Sequence, residues 1–183
     1  QGLDASYTTI LIDGFPVIGR SFGVLDLNRV SVLDIERIEV IKGPSSSLYG
    51  SSALGGVINL ISKQQIADGP IVNTSLKSAS YNTTHSSLVY KYKEGDFQIS
   101  NSIDYYNTDG YDLIDSDILS TVNPYSNYTF RSNIRLGLCD KVLLNTNAHY
   151  YKQEQINIAS DSSSLLKGES NIKEWSFGTS AKY

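Results

Sequence analysis

The chain has 183 residues, of which 40% are hydrophobic and 19% charged, and its formal net charge is -4. This composition excludes a disordered protein, and the charge is not basic enough for a nucleic-acid-binding domain. Every apolar run is shorter than the roughly 18 residues that a membrane-spanning helix needs. Membrane-spanning strands remain open, because each needs only about 10 residues with every second one apolar.

The first predicted element is a β-hairpin within TTILIDGFPVI, residues 8–18. Two apolar runs flank Asp13-Gly14, a dipeptide that tolerates the positive φ angles of a tight turn. Residues 25–36 then mix apolar and polar positions at helical spacing. This pattern predicts a short helix near residues 31–35.

The most informative stretch is RIEVIKGPSSSLYGSSALGGVINLISK, residues 37–63, which has no charge between Lys42 and Lys63. In an extended chain, residues 37–42 would place Ile38, Val40 and Lys42 on one side and Arg37, Glu39 and Ile41 on the other. Because successive side chains of a strand point to opposite faces, this predicts a strand with one buried face and one charged face.

Glycines and a proline punctuate the rest of this stretch. Gly43-Pro44 stops the strand, because proline has no amide hydrogen to donate to a ladder. One helical turn is predicted over residues 45–49, ended by Gly50 as a left-handed cap. A second glycine pair then leads into an apolar strand over residues 57–61. A phosphate-binding loop is disfavoured, because no lysine follows Gly50.

From residue 71 the sequence alternates between apolar and polar residues to its end. The predicted strands cover residues 71–80, 84–93, 96–106, 128–138, 142–152 and 172–183. Long polar connections, residues 107–127 and 153–171, alternate with short ones. This asymmetry is typical of outer-membrane barrels, whose turns are short on the periplasmic side and longer outside.

Tyrosines gather near the ends of these predicted strands. They are Tyr90, Tyr92, Tyr105, Tyr106, Tyr128, Tyr150, Tyr151 and Tyr183. Aromatic girdles lie at both membrane interfaces, where the ring finds an apolar environment and the hydroxyl a polar one. A girdle is therefore the preferred interpretation. The alternative is the aromatic core of a soluble sandwich.

Nothing in the sequence points to catalysis or to a metal site. His85 and His149 have no acidic or cysteine neighbours at ligand spacing, and Cys139 is the single cysteine. The abundant serines lie in no nucleophile elbow. No catalytic residue, metal ligand, cofactor or enzymatic activity is therefore predicted.

Two stretches, residues 35–63 and ILIDGFPV at residues 10–17, resemble the TonB-dependent outer-membrane receptor family. The resemblance implies a mainly β fold in which residues 1–66 form the C-terminal part of a small α+β plug domain. Residues 71–183 would then be about the first six antiparallel strands of an incomplete transmembrane β-barrel. Because the chain also begins without methionine and ends within an alternating pattern, we expect a fragment of a longer receptor.

The matching plug-motif residues are Arg37, Glu39, Lys42, Gly43, Pro44, Tyr49, Gly50, Gly55 and Gly56. The family usually has Arg-Gly-Pro where this chain has Lys42-Gly43-Pro44. Lysine keeps the charge but loses bidentate pairing with a carboxylate. The charged side chains of Arg37, Glu39 and Lys42 either face solvent or contact the barrel wall, and the sequence leaves both open.

The resemblance implies a location in the bacterial outer membrane and energy-coupled import of a scarce, bulky ligand of the siderophore, heme or cobalamin type. Its partners would be outer-membrane lipid and a TonB-type energy transducer, without nucleic acid. The ligand-binding residues are not identified by the sequence. The alternative is a soluble β-rich module that binds a ligand or a carbohydrate.

Overall fold

A computed structural model of the chain describes residues 7–17, 34–43, 53–64, 67–113, 121–139, 141–161 and 164–183. Ten strands form two sheets within these residues. No helix among them is long and apolar enough to cross a membrane.

The first four strands form a sheet that we call the small sheet. They are β1 (Thr8–Ile12), β2 (Phe15–Pro16), β3 (Ile35–Lys42) and β4 (Gly56–Ser62). The spatial order is β2-β1-β4-β3, with β1 parallel to β4 and the other pairs antiparallel. Apolar side chains pack on both faces of β1: Leu11, Ala53 and Val57 on one, and Ile10, Ile12 and Leu60 on the other. The small sheet therefore has a hydrophobic core of its own.

The predicted hairpin is confirmed as β1 and β2. Asp13 and Gly14 have φ angles of 51° and 85°, the positive values that a tight two-residue turn requires. The predicted helix near residues 31–35 lies mostly outside the described residues. It is wrong at Ile35, which begins β3, because a ladder with β4 forms there. The helical turn predicted at 45–49 and the Gly50 cap lie outside the described residues.

The strands predicted around residues 37–42 and 57–61 are confirmed as β3 and β4. The buried face predicted for β3 is wrong, because Ile38 and Val40 are 59% and 58% exposed. The physical reason is position: β3 lies at the edge of the small sheet and pairs with β4 alone. Alternation fixes which side chains share a face, but it does not supply a layer to cover that face.

The last six strands form a meander that we call the large sheet. They are β5 (Gly69–Ala79), β6 (Thr83–Glu94), β7 (Phe97–Thr108), β8 (Tyr125–Cys139), β9 (Val142–Asp161) and β10 (Ser164–Lys182). All six predicted strands are confirmed, and so is the long connection between β7 and β8. The connection predicted at residues 153–171 is wrong, because β9 and β10 stay paired from Leu143↔Lys182 to Asp161↔Ser164.

The two faces of the large sheet have opposite chemistry. The exposed face, which we call the apolar face, carries Trp175 and Phe177, which are 76% and 75% exposed, together with Ile103 and Phe130. The other face, which we call the polar face, carries buried Ser87, Lys91, Ser102, Asp104, Thr129 and His149. A soluble sandwich would bury the apolar side chains and expose the polar ones.

Most of the predicted girdle tyrosines lie on the apolar face. Register places Tyr90, Tyr105, Tyr128 and Tyr150 there, and Tyr150 packs on Trp175 with ring centroids 4.3 Å apart. The girdle interpretation is wrong for Tyr106 and Tyr151, whose ladder partners His85 and Thr129 belong to the polar face. Strand ends attract tyrosines on both faces, so position along the strand alone does not assign the face.

Gly56 gives a stability prediction for the small sheet. Its φ is +138°, and an added Cβ would lie 2.5 Å from the carbonyl oxygen of Ile41. We expect Gly56→Ala to destabilise β4 by about 2 kcal/mol, from backbone strain and overpacking. Amide hydrogen exchange across residues 56–62 measures this change.

The matched control is Gly168→Ala, another substitution of a strand glycine, where an added Cβ meets nothing within 4 Å. Equal exchange rates for β4 in the Gly56→Ala variant and the parent protein would contradict the assigned strain.

Candidate functional site

The charged residues of the plug motif lie at an exposed edge. Arg37 Nε is 2.9 Å from Glu39 Oε1, and Arg37 Nη1 is 3.6 Å from Glu36 Oε1. These side chains are about half exposed, and Lys42 is also exposed. Among the described residues, the partners of Arg37 are thus its own neighbours on β3 rather than the large sheet.

The motif glycines shape the approach of β4 to its neighbours. Gly43 has a φ of +95°, and Gly55 lies so close to Tyr7 that an added Cβ would be 3.2 Å from its carbonyl oxygen. Gly56 has the close contact with Ile41 described above. Pro44, Tyr49 and Gly50 lie outside the described residues.

The two sheets meet through a buried ion pair. Lys91 Nζ on β6 is 2.6 Å from Asp34 Oδ1, and its side chain is only 5% exposed. Lys91 also donates a hydrogen bond to the backbone carbonyl of Lys63, just after β4. One ammonium group of the large sheet thus binds two points of the small sheet.

A second contact involves the hairpin turn between β1 and β2. Asp13 Oδ1 accepts a hydrogen bond of 3.0 Å from the backbone N–H of Ser62 and lies 3.6 Å from Arg135 Nη2 on β8. The same carboxylate therefore ties the turn to β4 and the small sheet to the large one.

Arg131 lies between these two contacts on β8. It faces Asp104 Oδ2 at 4.0 Å, and its side chain is well buried. It lines a small cavity with Ile12, Asp13 and Asp34, which belong to the small sheet. We call Asp13, Asp34, Asp104, Lys91, Arg131 and Arg135 the charge cluster.

Asp34 is held at an energetic cost. Burial raises the pKa of its carboxyl group above the usual 3.8, and the hydrogen bond and charge of Lys91 oppose that effect only in part. The ion pair therefore fixes the relative position of Asp34 and Lys91 but adds little net stability, as is general for buried ion pairs.

Phe15 supplies an apolar contact beside the charge cluster. Its ring lies against Gly178 on β10, where an added Cβ would be 2.6 Å from the ring. Only glycine leaves room for the ring at this point of the strand.

Sequence reasoning did not identify the charge cluster. Asp13 is predicted only as a turn residue, and Arg131 is not singled out. The one available signal is that Lys91, Arg131 and Arg135 all fall on the polar side of alternating strands. Their carboxylate partners come from a distant segment, and alternation does not identify them.

A separate pocket lies on the polar face at the end of the large sheet that carries the β7–β8 connection. We call it the loop-end pocket. It is lined by Tyr106, Tyr111, Thr121, Val122, Asn123, Tyr125, Gln153 and Gln155. The rings of Tyr106 and Tyr125 stack, with centroids 5.2 Å apart and planes 21° apart. Three phenol rings and three primary amides therefore share one recess.

The described part of the chain holds no group of three or more His, Cys, Asp or Glu side chains that could bind a metal ion. His85 approaches Asp104 at 3.6 Å and Ser87 at 3.2 Å, while Ser87 donates directly to Asp104 at 2.6 Å. The serine hydroxyl is thus engaged by the carboxylate and is not activated through the imidazole, unlike a catalytic triad.

Comparisons with known proteins match both sheets. The TonB-dependent receptor plug domain matches residues 1–57. Over 82 residues the chain is 35% identical to the vitamin B12 transporter BtuB of Vibrio cholerae serotype O1. That alignment covers 44% of this chain and 13% of the transporter's length.

Solved structures of receptors share the arrangement. The siderophore receptor PirA of Acinetobacter baumannii matches with a TM-score of 0.62 and 25% identity, over 85% of this chain and 25% of that one. A mutant ferric enterobactin receptor, PfeA of Pseudomonas aeruginosa, matches with a TM-score of 0.63 and 23% identity, over 82% of this chain and 26% of that one. The second likeness shows the fold alone.

The buried ion pair gives a prediction for the contact between the sheets. We expect Lys91→Met to weaken it by about 3 kcal/mol, because the Asp34 carboxylate stays buried without its partner. The double variant Asp34→Asn, Lys91→Met should recover much of the loss. Hydrogen exchange of residues 56–64 in the full-length protein measures the opening.

The control is Arg37→Gln, which breaks an exposed pair and should cost less than about 0.5 kcal/mol. A Lys91→Met variant that is no less protected than Arg37→Gln would refute the assigned role of Lys91.

The raised pKa of Asp34 predicts a pH dependence of the same contact. The assembled protein holds the Asp34 proton more tightly than the unfolded chain does. This contribution is therefore fully present below the unfolded pKa and is lost as the pH rises through the raised value. The hydrogen-exchange protection of residues 56–64 should rise as the pH falls, and this rise should disappear in the Asp34→Asn variant. Equal pH profiles for the variant and the parent protein would contradict this.

Proposed function

Because this chain belongs to the TonB-dependent receptor family, we propose that it is part of an outer-membrane importer. In this proposal residues 1–66 are the C-terminal part of the plug domain, and residues 71–183 are about the first six strands of the barrel wall. The chain spans 13% of the length of the curated relative described above, so the activity of the whole protein is proposed rather than observed.

The observation that carries the proposal is the sidedness of the large sheet. Its exposed face bears Trp175, Phe177, Ile103 and Phe130, and its buried face bears lysine, aspartate and threonine. A barrel strand in a bilayer alternates in this way, with apolar side chains toward lipid and polar ones toward the lumen. The soluble-module alternative needs the reverse, because its apolar side chains would form the core between sheets.

The class of transported ligand is inferred from the family and from the width of the barrel lumen that a plug would close. A barrel wide enough for a bulky ligand has an open lumen unless a domain plugs it. We infer energy-coupled import of a scarce ligand of the siderophore, heme or cobalamin type, driven by a TonB-type transducer of the inner membrane. The relatives above, a vitamin B12 transporter and siderophore receptors, are transporters and receptors rather than enzymes.

The charge cluster suits a plug that has to move. Asp34 with Lys91 and Asp13 with Arg135 join the small sheet to the wall through groups that water can solvate when they separate. An apolar contact of the same area would expose hydrophobic surface to water when the two sheets separate, at a free-energy cost proportional to that area. Polar contacts therefore allow the small sheet to shift and return.

The full-length gene product tests the proposal. Cell fractionation should place it in the outer membrane, and cells that carry it should accumulate radiolabelled cyanocobalamin or a ferric siderophore. Deleting the TonB-type transducer should reduce uptake to background while surface binding is unchanged. Uptake that persists after that deletion, or a protein recovered without detergent from the soluble fraction, would overturn the proposal.

A further inference from the structure

The loop-end pocket is separate from the contact between the sheets. Tyr125 lies six positions before Arg131 along β8, a separation of roughly 20 Å at the rise of an extended strand. Both residues lie on the polar face, which faces the lumen in the proposed barrel. The pocket therefore occupies the lumen wall at the end that carries the long connection, where an incoming ligand arrives first.

The lining of the loop-end pocket is aromatic and uncharged. Tyr106, Tyr111 and Tyr125 contribute rings, and Gln153, Gln155 and Asn123 contribute amides. None of the described residues that line it carries a charge. Aromatic faces bind flat or ring-shaped groups by stacking, and primary amides both donate and accept hydrogen bonds.

Two buried amide atoms, one in the loop-end pocket and one next to it, have no hydrogen-bond partner within the described chain. They are the Asn123 oxygen Oδ1, in the pocket lining, and the Asn127 nitrogen Nδ2, on the polar face. Asn127 is 2% exposed and pairs in register with Tyr106 and Gln153, two lining residues. A buried polar atom left without a partner is costly, so one free donor and one free acceptor indicate a polar ligand.

The lining of the loop-end pocket disfavours a negatively charged ligand. Anionic ligands such as ferric catecholates or heme propionates are normally bound by arginine and lysine. The described lining of the loop-end pocket offers neither, only phenols and neutral polar or apolar groups.

We propose that the loop-end pocket binds an uncharged ligand that offers a ring face to Tyr106 and Tyr125 and amide or hydroxyl groups to the surrounding amides. The proposal rests on the importer function and narrows its ligand class. Among the candidate cargoes, it favours a corrinoid-like molecule over an anionic iron complex.

Equilibrium binding to the purified full-length protein in detergent tests the proposal. The probes are cyanocobalamin and maltoheptaose, which carry no net charge, and ferric enterobactin and hemin, which are anionic. We expect an uncharged probe to bind most tightly. Tyr106→Ala and Tyr125→Ala should each weaken its binding roughly three- to tenfold through lost stacking.

The matched control is Tyr128→Ala, which removes the same ring from the apolar face and should leave binding unchanged. Heat-dependent electrophoretic mobility checks that each variant is folded. Gln155→Lys adds a cation without removing a ring, and it should strengthen binding of ferric enterobactin relative to the uncharged probe.

The proposal would be overturned if an anionic probe bound most tightly, or if an uncharged probe bound equally well to the parent protein and to both tyrosine variants. Failure of every uncharged probe to bind would do the same. Binding needs no transducer, so tyrosine-dependent binding without import would contradict the importer function alone and leave the pocket assignment in place.

Discussion

Buried charge is the constraint on which the arrangement of the two sheets depends. Lys91, Arg131 and Arg135 lie on the polar face of the large sheet, where leaving them unpaired would cost several kcal/mol each. Asp104 comes from the same face, whereas Asp34 and Asp13 come from the small sheet. The small sheet has an apolar core of its own, and the ion pairs of Asp34 with Lys91 and Asp13 with Arg135 join it to the large sheet. Electrostatic pairing therefore contributes to its position.

Much of the fold could be predicted from the sequence, because alternation is a local property. The β1–β2 hairpin follows from Asp13-Gly14, and the six strands of the large sheet follow from a period of two. The paired ends of β9 and β10 could not be predicted in this way, because a two-stranded ladder can continue among polar residues without any apolar pattern. The helix prediction failed at Ile35 because pairing with β4 outweighed a weak local preference there.

The contacts between the two sheets were harder to predict from the sequence than the fold. For Arg37 and Glu39 of the plug motif the sequence left solvent and barrel contact both open, and the two side chains pair with each other at an exposed edge. The side chains that join the sheets, such as Asp34 and Lys91, are 57 positions apart in the chain. No spacing rule links such residues, because the match is made by the way two sheets stack and not by either sequence segment. The Phe15 and Gly178 contact is hidden for the same reason.

The parallel pairing of β1 with β4 has a mechanical consequence. A force drawn along β1 from its beginning would shear five consecutive residue pairs, Thr8↔Gly56 to Ile12↔Leu60, so that their hydrogen bonds share the load. The carboxylate of Asp13, just beyond β1, would instead be peeled from Arg135 as a single bond. The ion pair of Asp34 with Lys91 is a second such separate contact. Under tension along β1, these point contacts with the large sheet therefore yield before the β1–β4 ladder does, and the small sheet can be displaced as one intact body.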